Sequence, residues 1–347
     1  MKNIGIKILV IILVVLVVIA GVLFAMKVIE NRDNDGADTN QIISLGTDTG
    51  KKKEEQIKIY QGTDRPIAVM IDNHKGAWPQ AGLNQAYLVY EIIVEGGETR
   101  LMPVFKSTDL AKIGPVRSSR HYFLDYALEN DAIYVHYGWS PQAEYDIKAL
   151  KVNNLNGITQ STTDFWRVKD KKAPHNAVTS TKNILKMSET KGYRTQSSQK
   201  SILNYKAEEV NLDEGIEATR VVIPYSKLHT VSYTYDQENK RYIRYARNTK
   251  QTDWDTKEDI VTKNIIITFA KNYKLNDTEN KDRQGLNNIG DLKGYYITNG
   301  KAIEIVCSKS SRTAKTVYKD LQGNEIKVND GNTFIQICPI DAEVVIE

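Results

Sequence analysis

Arginine side chains cluster in one short segment of the chain, where residues 113–121 read Ile-Gly-Pro-Val-Arg-Ser-Ser-Arg-His. The Gly-Pro pair breaks any helix there, and Ser118 or Ser119 can cap the helix predicted next. Arg117 and Arg120 would then lie beside free backbone N–H groups, an arrangement that binds anions. The alternative is that either arginine forms an ion pair inside the fold, with Glu91, Glu95 or Asp125.

Two carboxylates, Glu91 and Glu95, lie at the end of a strand-like segment that Gly96-Gly97 closes. An alternating pattern would place both on one face, where such a pair can act as acid and base in glycoside hydrolysis. At about 3.3 Å per residue they are roughly 13 Å apart, which is too far for either glycosidase geometry unless the chain bends. The other interpretation is that both carboxylates pair with nearby arginines.

Histidine and tryptophan supply further candidates. His136 lies at the end of a predicted strand and Trp139 just before a predicted helix, where α/β folds bind ligands, although a single histidine there also suits a structural role. His175 and Asn176 end a polar loop that is either a surface turn or the rim of a site. The predicted ligand-binding set is Glu91, Glu95, Arg100, Arg117, Ser118, Arg120, His136, Trp139, His175 and Asn176.

Several enzyme and cofactor classes lack their patterns in this sequence. The five histidines and two cysteines show no metal-ligand spacing, and there is no Walker loop, dinucleotide fingerprint or Gly-x-Ser-x-Gly elbow. We therefore expect no metal and no cofactor, and the sequence assigns no catalytic residue. Lys plus Arg number 47 against 43 Asp plus Glu, and a net charge of +4 is too small to predict a nucleic-acid partner.

The elements that would position these side chains predict an α/β or α+β N-terminal domain over residues 64–195. Short apolar runs suited to strands alternate with segments of helical period. The predicted strands are Ile67–Ile71, Tyr87–Val94, Leu101–Phe105 and Ile133–Tyr137, and the predicted helices are Tyr122–Leu128 and Ser140–Leu150. Ser140 suits an N-cap and Pro141 the first turn.

Residues 196–217 form a predicted linker, and residues 218–347 a small all-β C-terminal domain, either a sandwich or an open barrel. Three hairpins are predicted there: Val231–Tyr235 with Tyr242–Tyr245, Tyr295–Ile297 with Ala302–Cys307, and Val317–Tyr318 with Ile326–Val328. Cys307 and Cys338 lie in strand-like runs, and a disulfide and two buried thiols remain equal alternatives.

Nineteen uncharged residues, Ile8–Met26, predict a transmembrane helix, since at about 1.5 Å per residue they nearly span a hydrocarbon core of roughly 30 Å. A cleaved signal peptide is the alternative, because lysines precede the run and residues 18–20 read Val-Ile-Ala. The run is long for a signal peptide, so we expect an uncleaved anchor. The positive-inside rule then places the tail 1–7 in the cytoplasm and the body outside, on a flexible polar stalk over 27–63.

Five ordered motifs resemble the YerB-like lipoprotein family of Gram-positive bacteria, over nearly the whole chain from about Arg65. They are Arg65–Asn73, Tyr90–Arg100 with Glu95-Gly96-Gly97, Ile113–Ser118, Ser140-Pro141-Gln142 and Ala173–Asn176, and Tyr318–Pro339 is similar to the small C-terminal domain of that family. The resemblance implies an extracytoplasmic two-domain architecture and no known reaction. Family members often carry a lipobox cysteine, whereas this chain has no cysteine before Cys307, which leaves the apolar helix as the anchor.

The sequence therefore predicts a single-pass membrane protein of the bacterial cell envelope, with its body outside the cytoplasm. Its N-terminal domain is expected to bind an anionic or glycan ligand, such as a cell-wall polymer, or to act as a scaffold. One alternative is a docking partner for other membrane proteins. The other is an envelope hydrolase that uses Glu91 or Glu95 with His136 or His175, which ranks last because spacing alone assembles no nucleophile, base and orienting group.

Overall fold

The computed structural model describes residues 56–276, 279 and 281–347. The predicted cytoplasmic tail, the predicted transmembrane helix Ile8–Met26 and most of the predicted stalk lie outside these residues. Within them, no helix is long and apolar enough to cross a bilayer. The last residues of the predicted stalk are docked on the body, because the Lys58 and Ile59 amides donate to the Asp330 carboxylate at 2.8 and 2.9 Å.

Strands account for more of the described chain than helices do. They are β1 Ile67–Val69, β2 Ile71–Asp72, β3 Leu88–Ile93, β4 Thr99–Phe105, β5 Ile133–His136, β6 Asn154–Asn156, β7 Trp166–Arg167, β8 Ala177–Val178, β9 Tyr205–Lys206, β10 Ile216–Glu217, β11 Arg220–Pro224, β12 Thr230–Asp236, β13 Arg241–Ala246, β14 Thr249–Lys250, β15 Val261–Thr262, β16 Asn264–Lys274, β17 Gln284–Asn287, β18 Gly290–Thr298, β19 Lys301–Lys309, β20 Val317–Lys319, β21 Val328–Asn329, β22 Thr333–Pro339 and β23 Val345–Ile346.

Three α-helices accompany these strands: α1 Phe123–Glu129, α2 Pro141–Ala149 and α3 Thr181–Thr190. Helix α2 begins as predicted, because the Ser140 side chain accepts from the amide of Ala143 and proline occupies the first turn. Helix α1 does not begin as predicted. Its N-cap is Tyr122, which makes no side-chain cap bond, so neither Ser118 nor Ser119 caps it.

One thirteen-stranded sheet runs through both halves of the chain. Its order is β10-β19-β18-β16-β22-β3-β4-β1-β5-β6, with β17, β2 and β20 paired on β16, β4 and β19. The join is β22, which pairs in parallel with β16 on one side and with β3 on the other, where Ile335 lies opposite Tyr90. The mixed α/β N-terminal part and the β-rich C-terminal part are confirmed, but the C-terminal strands complete a shared sheet instead of closing a sandwich of their own.

The two faces of this sheet bury separate apolar cores. On one face, Val89 and Ile267 pack with residues of a second sheet, β14-β13-β12-β11-β23, including Val231. On the other face, Tyr90 and Ile266 pack with residues of α1 and α2. Central strands of the shared sheet, such as β3 and β16, therefore send alternate side chains toward the second sheet and toward helices.

Two of the three predicted hairpins are confirmed. β12 pairs with β13, and β18 pairs with β19 around Asn299-Gly300, whose positive φ values of 50° and 76° fit a two-residue turn. The third predicted hairpin is wrong except near its turn. β20 pairs with β19. Val328 pairs in parallel with Tyr205, which belongs to strand β9 in the predicted linker. Sequence spacing cannot show this pairing, since the two residues are far apart in the chain.

Cys307 and Cys338 are both free and buried. They belong to the cores on opposite faces of the shared sheet, so the backbone of the sheet separates their sulfur atoms. This geometry resolves the two alternatives left by the sequence in favour of buried thiols. Burial raises the pKa of Cys307 to about 12.

We expect a thiol reagent to modify neither cysteine in the native full-length chain and to modify both after denaturation in guanidinium, as counted by mass spectrometry. Because no bond links the two strands, the thermal unfolding midpoint should be the same with and without a reductant. A midpoint that falls on reduction would show that a disulfide is present.

Candidate functional site

A cavity of ≈ 520 Å³ gathers most of the side chains predicted from the sequence. Seven of the ten predicted residues line it, and Glu91, His136 and Asn176 do not. The residues that line it are Asp72, His74, Val94, Glu95, Glu98, Thr99, Arg100, Arg117, Ser118, Arg120, Trp139, Ser140, His175, Lys281 and Arg283. The cavity therefore combines five Arg or Lys side chains with three carboxylates.

Asp72 and Arg100 lie opposite each other where β2 pairs with β4. Residues directly opposite in an antiparallel pair share a face, so both side chains point to the same side of the sheet. Arg117 reaches this pair from an extended segment, because its amide donates to the Met70 carbonyl at 2.8 Å. Its Nε lies 3.2 Å from Asp72 Oδ2, an ion pair that the sequence did not predict.

His175 completes a cluster around Asp72. Its Nδ1 lies 2.7 Å from Asp72 Oδ2, and its ring stacks on His74 with 4.4 Å between centroids and 11° between planes. The Asp72 carboxylate also accepts from the His74 amide at 3.1 Å, and the His74 Nδ1 accepts from the amide of Gly76 at 3.0 Å. Asp72 therefore fixes two histidines and one arginine at one wall of the cavity.

The loop that carries His175 is held by its own side chains. Asn176 donates to the carbonyls of Val168 and Lys171 and accepts from Arg167, so its amide group is used inside the loop. Lys171 donates to the carbonyls of Ala77 and Trp78 and lies 4.0 Å from the centroid of the Trp254 ring. Asn176, predicted to bind a ligand, thus lies behind the cavity and shapes the loop.

Arg100 is the most deeply buried cation of the cavity, with 6% of its surface exposed. Burial, followed by repulsion from Arg120, lowers its pKa to about 9, although Glu95 and Asp72 offset part of the effect. Its Nη1 donates to the carbonyl of Ser118, and its Nη2 lies 3.9 Å from Glu95 Oε2. The nearby carboxylates therefore only partly offset the positive charge of this guanidinium, which is almost completely shielded from water.

Arg120 forms a bidentate pair with Glu95, with Nε at 2.5 Å from Oε1 and Nη2 at 2.9 Å from Oε2. The ion-pair alternative of the sequence analysis therefore holds for Arg120. Burial would raise the pKa of Glu95, but Arg120 and then Arg100 outweigh it and lower that pKa. Ser118 Oγ donates to the carbonyl of Tyr137 at 3.1 Å, so this hydroxyl group stabilises the fold.

His136 is fully buried below the cavity and does not line it. Its ring nitrogens contact the Gly138 carbonyl at 2.8 Å and the Asn154 side chain at 3.1 Å, and burial lowers its pKa. The His136 ring lies 5.6 Å from that of Trp139, which does line the cavity. His136 therefore has a structural role and does not bind a ligand directly. Its ring supports the Trp139 ring at the cavity.

Glu91 lies between the two sheets, with none of its surface exposed. It does not share a face with Glu95 because β3 ends at Ile93 and the chain turns at residues 95–97. Arg244 Nη2 lies 2.9 Å from Glu91 Oε2, and His229 Nε2 lies 3.1 Å from Oε1. Burial would raise the pKa of Glu91, but Arg244 and His229 lower it to about 2. The predicted Glu91–Glu95 acid–base pair is therefore wrong.

Sequence reasoning missed Asp72, His74, Glu98, Lys281 and Arg283 as lining residues. The available signal for the first two was their position directly after an apolar strand, the same rule that was applied to His136. Lys281 and Arg283 lie 209 residues after Asp72 and His74, in a strand connection that no local pattern links to the cavity. Among the described residues, no group of three His, Cys, Asp or Glu side chains is placed to hold a metal ion.

Replacing Glu91 by Gln leaves the buried Arg244 without a counter-ion. We expect the free energy of unfolding at pH 7 to fall by about 3–5 kcal/mol, measured by denaturant titration, with Glu144→Gln on the surface of α2 as control. The double variant Glu91→Gln with Arg244→Met should lose less than Glu91→Gln alone. Equal losses in the two variants would contradict this role.

The same pair predicts how stability depends on pH. The pKa of Glu91 is about 2 in the folded chain against a reference value of 4.5, so the unfolded chain takes up the proton first as pH falls. Its contribution is complete above 4.5 and is lost as pH falls toward about 2. The stability gap between the wild type and Glu91→Gln should narrow over that range. A constant gap would be the adverse result.

Comparison with known proteins places the chain in a family. The DUF3048 N-terminal domain, described as a protein of unknown function, matches residues 49–194, and the corresponding C-terminal domain matches residues 221–335. The chain is 30% identical over 299 residues to "Putative lipoprotein YerB" of Bacillus subtilis (strain 168), covering 84% of this chain and 85% of that protein. The crystal structure of YerB protein from Bacillus subtilis superimposes with a TM-score of 0.73 at 30% identity, covering 82% of this chain and 94% of that one. The chain therefore belongs to the YerB-like, DUF3048 family, as its ordered motifs indicated.

Proposed function

We propose that this protein is associated with the bacterial cell envelope and binds an anionic ligand in the cavity around Arg100. The observation that carries the binding proposal is the burial of Arg100 at the wall of this cavity. A guanidinium that is nearly buried, beside Arg117 and Arg120, is stabilised by an anion that enters the cavity. Burial, followed by repulsion from Arg120, lowers the pKa of Arg100, and an anion in the cavity would offset both effects.

The neighbouring charges leave a local excess of positive charge. Glu95 is engaged by Arg120, and Glu98 pairs with Arg247 from outside the cavity lining. Asp72 faces both His175 and Arg117, which is 26% exposed and can reach a ligand. Phosphate or carboxylate oxygens match the fork of a guanidinium, so either group suits this wall. Trp139 adds an aromatic side chain of the kind that packs on sugar rings.

The envelope assignment is supported by two observations. The relative from Bacillus subtilis carries the name of a lipoprotein, and this chain has an apolar run at Ile8–Met26 in place of an N-terminal lipobox cysteine. We infer that the run anchors the chain as a single-pass helix with its body outside the cytoplasm. The ligand would then be an anionic polymer or glycan of the envelope, and a docking role for the C-terminal strands stays a prediction.

Arg117→Gln removes a guanidinium that reaches the cavity and leaves a shorter, neutral side chain that can still form hydrogen bonds. We expect the affinity of the full-length chain for purified anionic cell-wall polymer to fall by about 10-fold or more, because a hydrogen bond to a charged group contributes about 1.5–3 kcal/mol. The matched control is Arg241→Gln, an exposed arginine of β13 that pairs with Asp236. If the wild type binds the polymer and both variants bind it with equal affinity, this cavity is not the binding site.

Membrane attachment through Ile8–Met26 predicts that the full-length chain stays with membranes after washing at high salt and alkaline pH. A variant that lacks residues 1–26 should appear in the soluble fraction, as followed by immunoblotting. Release of the full-length chain by salt alone would show that it is held by surface charge and not by an inserted helix.

A further inference from the structure

His175 has the geometry of a general base. Its Nδ1 lies 2.7 Å from Asp72 Oδ2, and an ionised carboxylate only accepts hydrogen bonds, so Nδ1 carries the proton. In the neutral ring the lone pair is then on Nε2. Within the described part of the chain, Nε2 of His175 makes no hydrogen bond. The side chain is 19% exposed and lines the cavity.

The orientation of the ring is set by its neighbours. Asp72 is itself held, since its two oxygens meet the His74 amide and the Arg117 Nε. The His74 ring lies parallel to that of His175, and the amide of Gly76 fixes the His74 tautomer by donating to Nδ1. A histidine oriented by a carboxylate, with its other nitrogen open to a cavity, is the base and orienting pair of many hydrolytic sites.

The same cavity supplies groups that stabilise negative charge. Arg117 contacts the carboxylate that orients His175, and Arg100 lies opposite that carboxylate in the β2–β4 register. One guanidinium group can bind two phosphoryl oxygens at once. It stabilises developing negative charge most strongly in a site of low dielectric. A carboxylate ligand has no leaving group, whereas a phosphate ester has one. The base and the arginines together therefore fit an ester of phosphoric acid.

We propose that this cavity hydrolyses a phosphate ester, with His175 as the general base and Asp72 as its positioning residue. Nε2 of His175 takes a proton from water while the water oxygen bonds to phosphorus. The P–O bond to the alcohol breaks, and His175 returns its proton to the leaving oxygen, so that one water gives a phosphate and an alcohol. The proposal rests on anion binding in this cavity.

The test uses the full-length chain with bis(p-nitrophenyl) phosphate as diester probe and p-nitrophenyl phosphate as monoester probe. Release of nitrophenol is followed by absorbance, and binding of inorganic phosphate by calorimetry. His175→Asn should lower the rate by about 100-fold or more and leave phosphate binding within a few-fold. His121→Asn, a histidine that does not line the cavity, is the matched control, and thermal unfolding checks that each variant is folded.

Asp72→Asn tests the positioning role. If Asp72 only stabilises the fold, the variant changes the rate equally at every pH. If it orients and supports His175, the ascending limb of the pH–rate profile shifts along the pH axis or disappears. An unshifted limb of unchanged shape would overturn the assignment of Asp72.

The outcomes separate this inference from the proposed function. Phosphate binding with no hydrolysis of either probe overturns the inference and leaves anion binding intact. Hydrolysis that is equal in the wild type and His175→Asn overturns it as well, because the base is then another group. Absence of both binding and hydrolysis overturns both proposals. Hydrolysis that only His175→Asn removes, with binding retained, supports the inference, and the preferred probe separates diesters from monoesters.

Discussion

The buried Glu91 carboxylate is the interaction on which the architecture depends. It lies between two sheets, with Arg244 and His229 from the C-terminal part of the chain against a strand of the N-terminal part. Removing Glu91 or Arg244 leaves the other charge unpaired and away from water, so this pair holds the two matched family segments in one arrangement. Asn73 and Thr99 donate to the same carboxylate, and each is adjacent in sequence to a residue that lines the cavity. The buried Glu91 carboxylate that joins the two segments therefore also fixes one wall of the candidate site.

Recognition in this protein depends on local charge and not on net charge. The chain carries only +4 overall, which gives no long-range attraction of note for an anion. The cavity compensates by burying Arg100 beside other guanidinium groups and by pairing each of its carboxylates with an arginine. Such a site is selective for a ligand that brings its own negative charge into a confined space, and surface charge contributes little to it.

Local patterns predicted the local parts of the structure. The helices at 123–129 and 141–149 and two hairpins follow from periodicity and turn residues, and the loop around Arg117 was identified from its arginines. The pairing of β22 with β3 was not predictable, because it joins segments about 245 residues apart through backbone bonds that leave no side-chain signature. The role of Asp72 was missed for the same reason, since its partner His175 is 103 residues away. Glu91 was wrongly predicted to line the site, because the second sheet that buries it comes from distant segments of the chain.

The order of the strands in the chain has a consequence for biosynthesis. Residues 333–339 are made after both of their partner strands, β3 and β16, yet they fill the centre of the shared sheet. Until they arrive, β3 and β16 each present an open edge that can pair with other chains. The shared sheet therefore stays incomplete until β22 has left the ribosome. If the body is exported while it is being synthesised, β3 and β16 reach the far side of the membrane before β22, and the sheet is completed there.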